Sequence, residues 1–317
     1  MLDDLTRVEK ALQNAVEADL ALLQEIASHL INAGGKRVRP GFAIASAATP
    51  LIPAQPVSDN VILGAAAVEL VHIGSLYHDD VMDEGQIRRG VPSVNSLWDN
   101  HRAILAGDFL LARASEIAAS LGTDVVGLLA ATIAKLCDGQ IRELEAEHNI
   151  DRTFAAYEKS IAGKTASLLA AACRIGGITG QLPADHIEAV TNFGEAYGFA
   201  FQIVDDILDL TSTSEQLGKK AGNDILEGVY TLPVIVALTE ANGAELHELL
   251  SDDLSDAGHQ RALTIVRTST GVTAAQAQAR RWADKAAESL QTLPDSDATA
   301  ALRAAADHLI QRAKADF

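Results

Sequence analysis

Only two cysteines, Cys137 and Cys173, occur in the 317 residues. Two lone thiols make neither a disulfide framework nor a zinc-ligand pattern, so a reducing, cytoplasmic setting is the plain expectation. Aromatic residues are equally sparse at 4%, and no segment alternates apolar and polar residues as a half-buried strand would, which argues against a sheet protein. Runs of Lys and Arg are missing, and the formal net charge is −18. Nucleic acid would be repelled and is not expected as a partner. No basic region followed by an apolar run follows Met1-Leu2-Asp3-Asp4, so no signal peptide is expected. Glu69, Lys135 and Arg174 interrupt the best apolar stretches, which fall short of the roughly 18 residues of a membrane span. No transmembrane segment is expected.

What the chain does have is apolar mass with helical rhythm. Hydrophobic residues make up 48%, enough for a sizeable core and too much for global disorder. Helical periodicity marks residues 3–33, 40–49, 58–80, 99–120, 122–148, 153–177, 183–211, 231–251, 258–268, 272–293 and 297–315. Breakers stand between them at Gly34-Gly35, Pro50 to Pro56, Gly90 to Pro92, Gly180-Gln181, Gly218 to Gly222 and Pro294-Asp295. Residues 61–76 and 164–173 are apolar on more than one side, the mark of buried central helices in a large bundle. No fixed-period repeat and no clear linker divides the chain. The expectation is one all-α domain spanning residues 1–317.

Two aspartate clusters carry the chemistry. The first is His78-Asp79-Asp80-Val81-Met82-Asp83 and the second is Val204-Asp205-Asp206-Ile207-Leu208-Asp209. In each, the first and last aspartates are four apart and project from one helical face, where like charges repel. Both sit near expected helix C-termini, where the macrodipole also disfavours anions. A bound cation offsets that cost, and hard oxygen ligands with few histidines point to Mg²⁺, which typically combines one or two carboxylates with substrate phosphate oxygens.

A phosphate-binding counterpart stands at Gly34-Gly35-Lys36-Arg37-Val38-Arg39-Pro40. Its glycines permit a tight turn close to an anion, and Pro40 suits the first turn of the next helix. Lys36 and Arg39 would then sit beside a helix N-terminus that already attracts phosphate. Arg88-Arg89-Gly90 follows the first acidic cluster, and Lys164-Thr165 and Lys219 are further candidates. Gly163-Lys164-Thr165 imitates the end of a P-loop, but Glu158 occupies the required earlier glycine position and no strand precedes it. An NTPase reading therefore fails.

The chain resembles the trans-isoprenyl diphosphate synthases over roughly residues 10–315. The resemblance is carried by GGKRVRP at 34–40, HDDVMDEGQIRRGVPSVN at 78–95, GDFLLARA at 107–114, GKTASLL at 163–169, FQIVDDILD at 201–209 and GKKAGNDILEGVYTLP at 218–233. It implies an all-α fold whose helices surround a deep cavity, in a homodimer. It further implies Mg²⁺ as cofactor, three ions with substrate bound, and isopentenyl diphosphate and an allylic diphosphate as substrates. By resemblance, Asp79, Asp83 and Asp205 are the metal ligands, with Asp80, Asp206 and Asp209 completing the clusters. Arg88, Lys164, Thr165, Gln202 and Lys219 contact the allylic diphosphate, while Lys36, Arg39, His72 and Arg89 form the isopentenyl diphosphate site. Asp79, Asp83, Asp205, Lys164 and Arg88 are the residues assigned to catalysis. One departure is Val229, where the family often has Lys after Glu-Gly.

Product length is read from the helix before the first cluster. Ser75, Val71, Ala67 and Gly64 lie back along it from Asp79, with Gly74 beside them, and in family logic a bulky aromatic four or five residues before that aspartate shortens the product. Small residues there imply a long, all-trans product of 30 or so carbons or more, for a quinone side chain, with transient membrane contact for its release. The same small residues would also suit helix packing, and Phe109 could close the tunnel, giving a geranylgeranyl product of about 20 carbons. A non-catalytic subunit of a heteromeric synthase usually lacks the aspartate clusters, and a terpene cyclase has a different second metal motif. A di-iron bundle would use Glu69/His72 and Glu145/His148 as Glu-x-x-His pairs.

Overall fold

The computed structural model describes residues 2–212, 220–251 and 254–313. The chain is 76% helical, and among the described residues its one sheet is a pair of two-residue strands. The all-α expectation holds. Two compact units form, one from Met1–Ile133, Leu168–Thr191 and Thr292–Leu302, the other from Ala134–Ser167, Asn192–Gln291 and Arg303–Phe317.

In the first unit α4 (Asp59–Met82) is the hub. Against it pack α1 (Leu2–Ala15), α3 (Val38–Ala48), α5 (Val94–Leu97) and α6 (Asn100–Ser120), with α2 (Ala21–Asn32) lying on α1 and α6. Ala65, Ala66, Ala67, Val68, Leu70, Val71 and Ile73 are all fully buried, so α4 has no solvent side along this stretch. By length and composition α4 is long and apolar enough to cross a bilayer, which corrects the expectation that no stretch reaches that length. In this fold, 72% of its most apolar window is buried within the protein, as befits a core helix.

Two of its small residues are there for packing. A Cβ at Gly74 would stand 3.1 Å from the Gly107 carbonyl oxygen of α6, and one at Gly64 would stand 2.6 Å from Ile175 of α9 (Ser167–Thr179). Helix–helix approach therefore accounts for both positions without a product tunnel.

The expected helix 3–33 is in fact α1 and α2, interrupted after Ala15 with no glycine or proline to announce it. Each half buries its own face, Val8 and Leu12 on α1 and Ile26 and Leu30 on α2. Tertiary packing decides this break, not propensity.

The second unit is built on α8 (Phe154–Ile161), a π-helical turn at Ala162–Ala166, and most of α10 (Ala184–Thr211). The last turns of α7 (Thr123–Leu144) also belong to it. Further along come α11 (Asn223–Leu226), α12 (Leu232–Ala237), α13 (Gly243–Ser251), α14 (Asp256–Thr268), α15 (Gly271–Ser289) and the part of α16 (Asp297–Arg312) that follows Leu302. Leu210, Ile225, Tyr230, Val234, Leu246 and Val266 form one continuous core among them. The expected helix 231–251 divides here into α12 and α13, joined through a turn in which the Gly243 amide donates to Glu240.

Candidate active site

In the first unit the acidic cluster closes α4. Asp79 lies in its last turn and Asp83 is its C-cap, donating its amide to the Asp79 carbonyl at 2.8 Å. Asp79 is half-buried and Asp83 exposed. Asp80, one residue round the helix, is fully buried. Its Oδ1 accepts from Arg88 Nε at 2.8 Å and lies 2.6 Å from Arg88 Nη2. Burial pushes the Asp80 carboxyl up, and Arg88 pulls it back. The phase of Asp80 on α4 turns it into the core, where it holds Arg88.

Arg88 stands on a hairpin that the sequence reading missed, β1 (Ile87–Arg88) paired antiparallel with β2 (Val91–Pro92). The two-residue loop, Arg89-Gly90, has φ of 55° and 77°, the positive values a tight hairpin requires. Four paired residues are too few for an alternating pattern; the only signal is the Arg-Gly step itself.

The glycine-rich turn meets this hairpin. Gly35 has φ 148°, and a Cβ on it would lie 3.1 Å from the Arg89 guanidinium carbon, so glycine leaves room for that side chain. Arg89 Nη1 donates to the Leu30 and Gly34 carbonyls at 3.0 and 2.5 Å. His72 is surrounded here: burial lowers its pKa well below the ordinary value, and Arg39, Arg89, Arg88 and Arg37 add to the shift. The imidazole is neutral. Lys36 is exposed at the start of this turn. The unit therefore brings Arg39, Arg88 and Arg89 within electrostatic reach of His72 and adds Arg37, which the sequence reading had not assigned.

The second unit holds the second acidic cluster. Lys164 and Thr165 lie on the π-helical turn, a register slip that aims successive side chains off the α-helical rows. Gly163 and Gly139 make the slip possible by letting the turn rest backbone to backbone on α7: a Cβ on Gly163 would be 2.7 Å from the Gly139 Cα. The Lys164 ammonium pairs with Glu143. Thr165 donates to Gln202 Oε1 at 2.7 Å, and Gln202 Nε2 donates to Asp206 Oδ1 at 2.9 Å. Tyr157, 2% exposed, donates its hydroxyl to Asp206 Oδ2, and the buried Arg152 guanidinium lies 5.6 Å from its ring.

Asp206 is consequently engaged at both oxygens and only 3% exposed; burial pushes its carboxyl up to about 7, against the pull of Tyr157 and Gln202. In this arrangement Asp206 braces Tyr157 and Gln202. Asp209 is 4% exposed; its Oδ2 accepts the Asp224 amide at 3.2 Å and its carbonyl accepts the Gly222 amide at 2.7 Å. It pins the segment leading into α11. Asp205 is half-buried. Lys219 lies outside the described residues. Tyr157, Arg152 and Glu143 escaped the sequence reading, although Tyr157 precedes Lys164 by seven residues, two turns back along the chain.

Among the described residues, no three His, Cys, Asp or Glu side chains converge on a metal-sized point. In the first unit half-buried Asp79 and exposed Asp83, and in the second half-buried Asp205, each offer hard oxygen donors. Carboxylates of this kind fit a cation such as Mg²⁺ whose remaining ligands are water or substrate phosphate oxygens. The di-iron reading fails on geometry. Glu69 is paired with arginines, and Glu145 and His148 lie beyond the end of α7.

Partly exposed carboxylates at helix ends and arginines around a half-buried histidine suit, in an all-α chain, an anionic ligand bound with a cation. Comparison with known proteins narrows the class. The polyprenyl synthetase profile matches residues 20–266, and the chain belongs to that family of prenyltransferases. It is 41% identical over 312 residues to the nonaprenyl diphosphate synthase of Mycobacterium tuberculosis, covering 97% of this chain and 92% of the relative. Among solved structures it is similar to a decaprenyl diphosphate synthase from Rhodobacter capsulatus, with TM-score 0.90, 34% identity and coverage of 98% and 97%. It is also similar to a geranylgeranyl pyrophosphate synthase from Corynebacterium glutamicum complexed with calcium and isoprenyl diphosphate, with TM-score 0.85, 40% identity and coverage of 98% and 95%.

Proposed function

We propose that the protein is a Mg²⁺-dependent, all-trans polyprenyl diphosphate synthase that extends an allylic diphosphate with isopentenyl diphosphate to a product of about 30 carbons or more. The observation that carries the reading is the basic pocket around neutral His72 beside an acidic helix end whose outer carboxylates, Asp79 and Asp83, remain partly exposed. Lys36, Arg39, His72 and Arg89 bind the diphosphate of isopentenyl diphosphate; Arg88, Lys164, Thr165 and Gln202 bind that of the allylic substrate. Asp79, Asp83 and Asp205 would hold Mg²⁺, three ions with substrate bound, and the metal would supply Lewis-acid neutralisation of diphosphate charge. Arg88 and Lys164 stabilise the same charge directly, and Asp80 and Glu143 hold those two cations in place. His72, being neutral, donates or accepts a hydrogen bond without adding charge. Water must be kept from the allylic cation until the double bond of isopentenyl diphosphate attacks it and a proton is lost.

A long product is supported by half-buried Ser75, which adds no bulk beside Asp79, and by the relatives named for nonaprenyl and decaprenyl products. A product of about 20 carbons is the alternative, since a geranylgeranyl synthase is equally similar in sequence. The protein acts as a homodimer in the cytoplasm, touching the membrane only to release product. A seam of exposed apolar residues on α6, Leu105, Ala112 and Ala119 at intervals of seven, supports the dimer. The test is incubation of the purified protein with labelled isopentenyl diphosphate and farnesyl diphosphate, with and without Mg²⁺, followed by sizing of the extracted products. A Mg²⁺-dependent ladder reaching about 30 carbons or more supports the reading, and a stop near 20 selects the alternative. No product until a second chain is added would identify a non-catalytic subunit and overturn it.

A further inference from the structure

Glu69 is a lone carboxylate in the apolar middle of α4, 2% exposed. A buried charge there is costly unless it is paired. Its Oε1 meets two guanidiniums, Arg37 Nη1 at 2.9 Å and Arg89 Nη2 at 3.5 Å. Both arginines take left-handed backbone conformations, with φ of 46° and 55°, which these residues rarely adopt. Something must hold each in place. Arg37 is anchored further by Glu9 at 2.5 and 3.0 Å and by the Ile31 and Gly34 carbonyls at 3.0 and 3.3 Å. Arg89 shares the Gly34 carbonyl and adds that of Leu30. The acceptors at Leu30 and Ile31 belong to the last turn of α2, whose terminal carbonyls lack helical partners.

The glycine-rich turn and the hairpin loop thus converge on one carboxylate. Glu69 is also three residues before His72, on an adjoining part of the same helix face, and His72 feels both arginines. We propose that Glu69 is a positioning residue for the isopentenyl diphosphate pocket: it clamps Arg37 and Arg89, and through them sets the distance between the Lys36–Arg39 turn and the hairpin. The inference rests on the assignment of that pocket to isopentenyl diphosphate. It makes a sign prediction that separates positioning from simple electrostatics. Removing a buried negative charge from a cluster of cations would by field alone strengthen binding of an anion. Removing a clamp weakens it, because the cations no longer converge.

The experiment compares Glu69→Gln, Glu9→Gln and Lys36→Ala with the wild-type enzyme, measuring KM for isopentenyl diphosphate and for the allylic substrate separately. Far-UV circular dichroism confirms folding of each. Glu69→Gln keeps the shape and loses the charge; KM for isopentenyl diphosphate is expected to rise about tenfold, with allylic KM changing less than about twofold. Glu9→Gln loosens Arg37 from its half-exposed side and is expected to act in the same direction by a smaller factor; it carries the test alone if Glu69→Gln does not fold. An unchanged or lower KM for isopentenyl diphosphate in a folded variant overturns the proposal. Lys36→Ala tests the pocket itself. If it raises the allylic KM instead, the substrate assignment is wrong, and the inference falls with it.

Discussion

Replacing Gly163 with Ala should damage the allylic half of the site without touching any charged group. In the π-helical turn a Cβ at residue 163 would lie 2.7 Å from both the Gly139 Cα and the Lys135 carbonyl oxygen, and 2.9 Å from the Gly139 amide nitrogen. All three are backbone atoms, so no rotamer change relieves the overlap and the turn must move off α7. Overpacking of this kind costs about 1–3 kcal/mol. Alanine gives back up to about 1 kcal/mol through helix propensity, leaving a net loss of roughly 1–2 kcal/mol, a few degrees in Tm. The larger effect is on Lys164 and Thr165, which ride on the turn. Their displacement by even about 1 Å is expected to lower kcat/KM for the allylic substrate by about a hundredfold. The assay is steady-state kinetics beside thermal denaturation. Gly127→Ala is the control: the residue is exposed on α7 with nothing within 4 Å of its added Cβ, so stability should hold or rise and activity stay as it was. Gly139→Ala should behave like Gly163→Ala, and the double variant should be less harmful than the sum, since both crowd the same contact and one displacement of the turn accommodates both. Wild-type stability and turnover in Gly163→Ala would refute the reasoning.

Three further outcomes follow from the same geometry. Asp206, with its carboxyl pushed up to about 7, binds a proton more tightly in the native state than in the unfolded chain. Metal-free protein should therefore lose stability relative to Asp206→Asn as pH rises from about 4 to 7, by up to on the order of 4 kcal/mol; parallel denaturation curves at pH 5 and 8 would contradict this. His72 shows the opposite case: its native pKa is depressed, so the unfolded chain takes up a proton the native state refuses, and stability should fall as pH drops below about 6.5. An NMR titration in which the His72 ring protonates near pH 6.5 in the folded protein would sink the buried-neutral assignment. Asp79→Ala and Asp205→Ala should each cut turnover by about 10³-fold or more with the fold intact, and excess chelator should do the same to the wild type; normal turnover in either variant would remove that aspartate from the metal set.

The amino-acid sequence by itself determined the helical class, because period and breakers are local properties of the chain. It also determined the chemistry available at two helix ends, because aspartates four apart share a face wherever the helix is placed. The chain's GGKRVRP and Arg88-Arg89 segments were likewise visible as anion-binding candidates. What the sequence left open was which way each group faces. Asp79 and Asp80 are neighbours of the same type, yet one is half-buried and the other fully buried against Arg88, since the phase of α4 is set by its packing on α1, α3 and α6. Glu69 looked like an interruption in an apolar run; its partner Arg37 is 32 residues away, and only the fold brings them to 2.9 Å. Gly74 read as room for a long product, whereas the close approach of α6 explains it. Periodicity is written in short windows of sequence. The pairing of buried charges and the use of small residues depend on contacts between distant segments, and only the tertiary structure decides those.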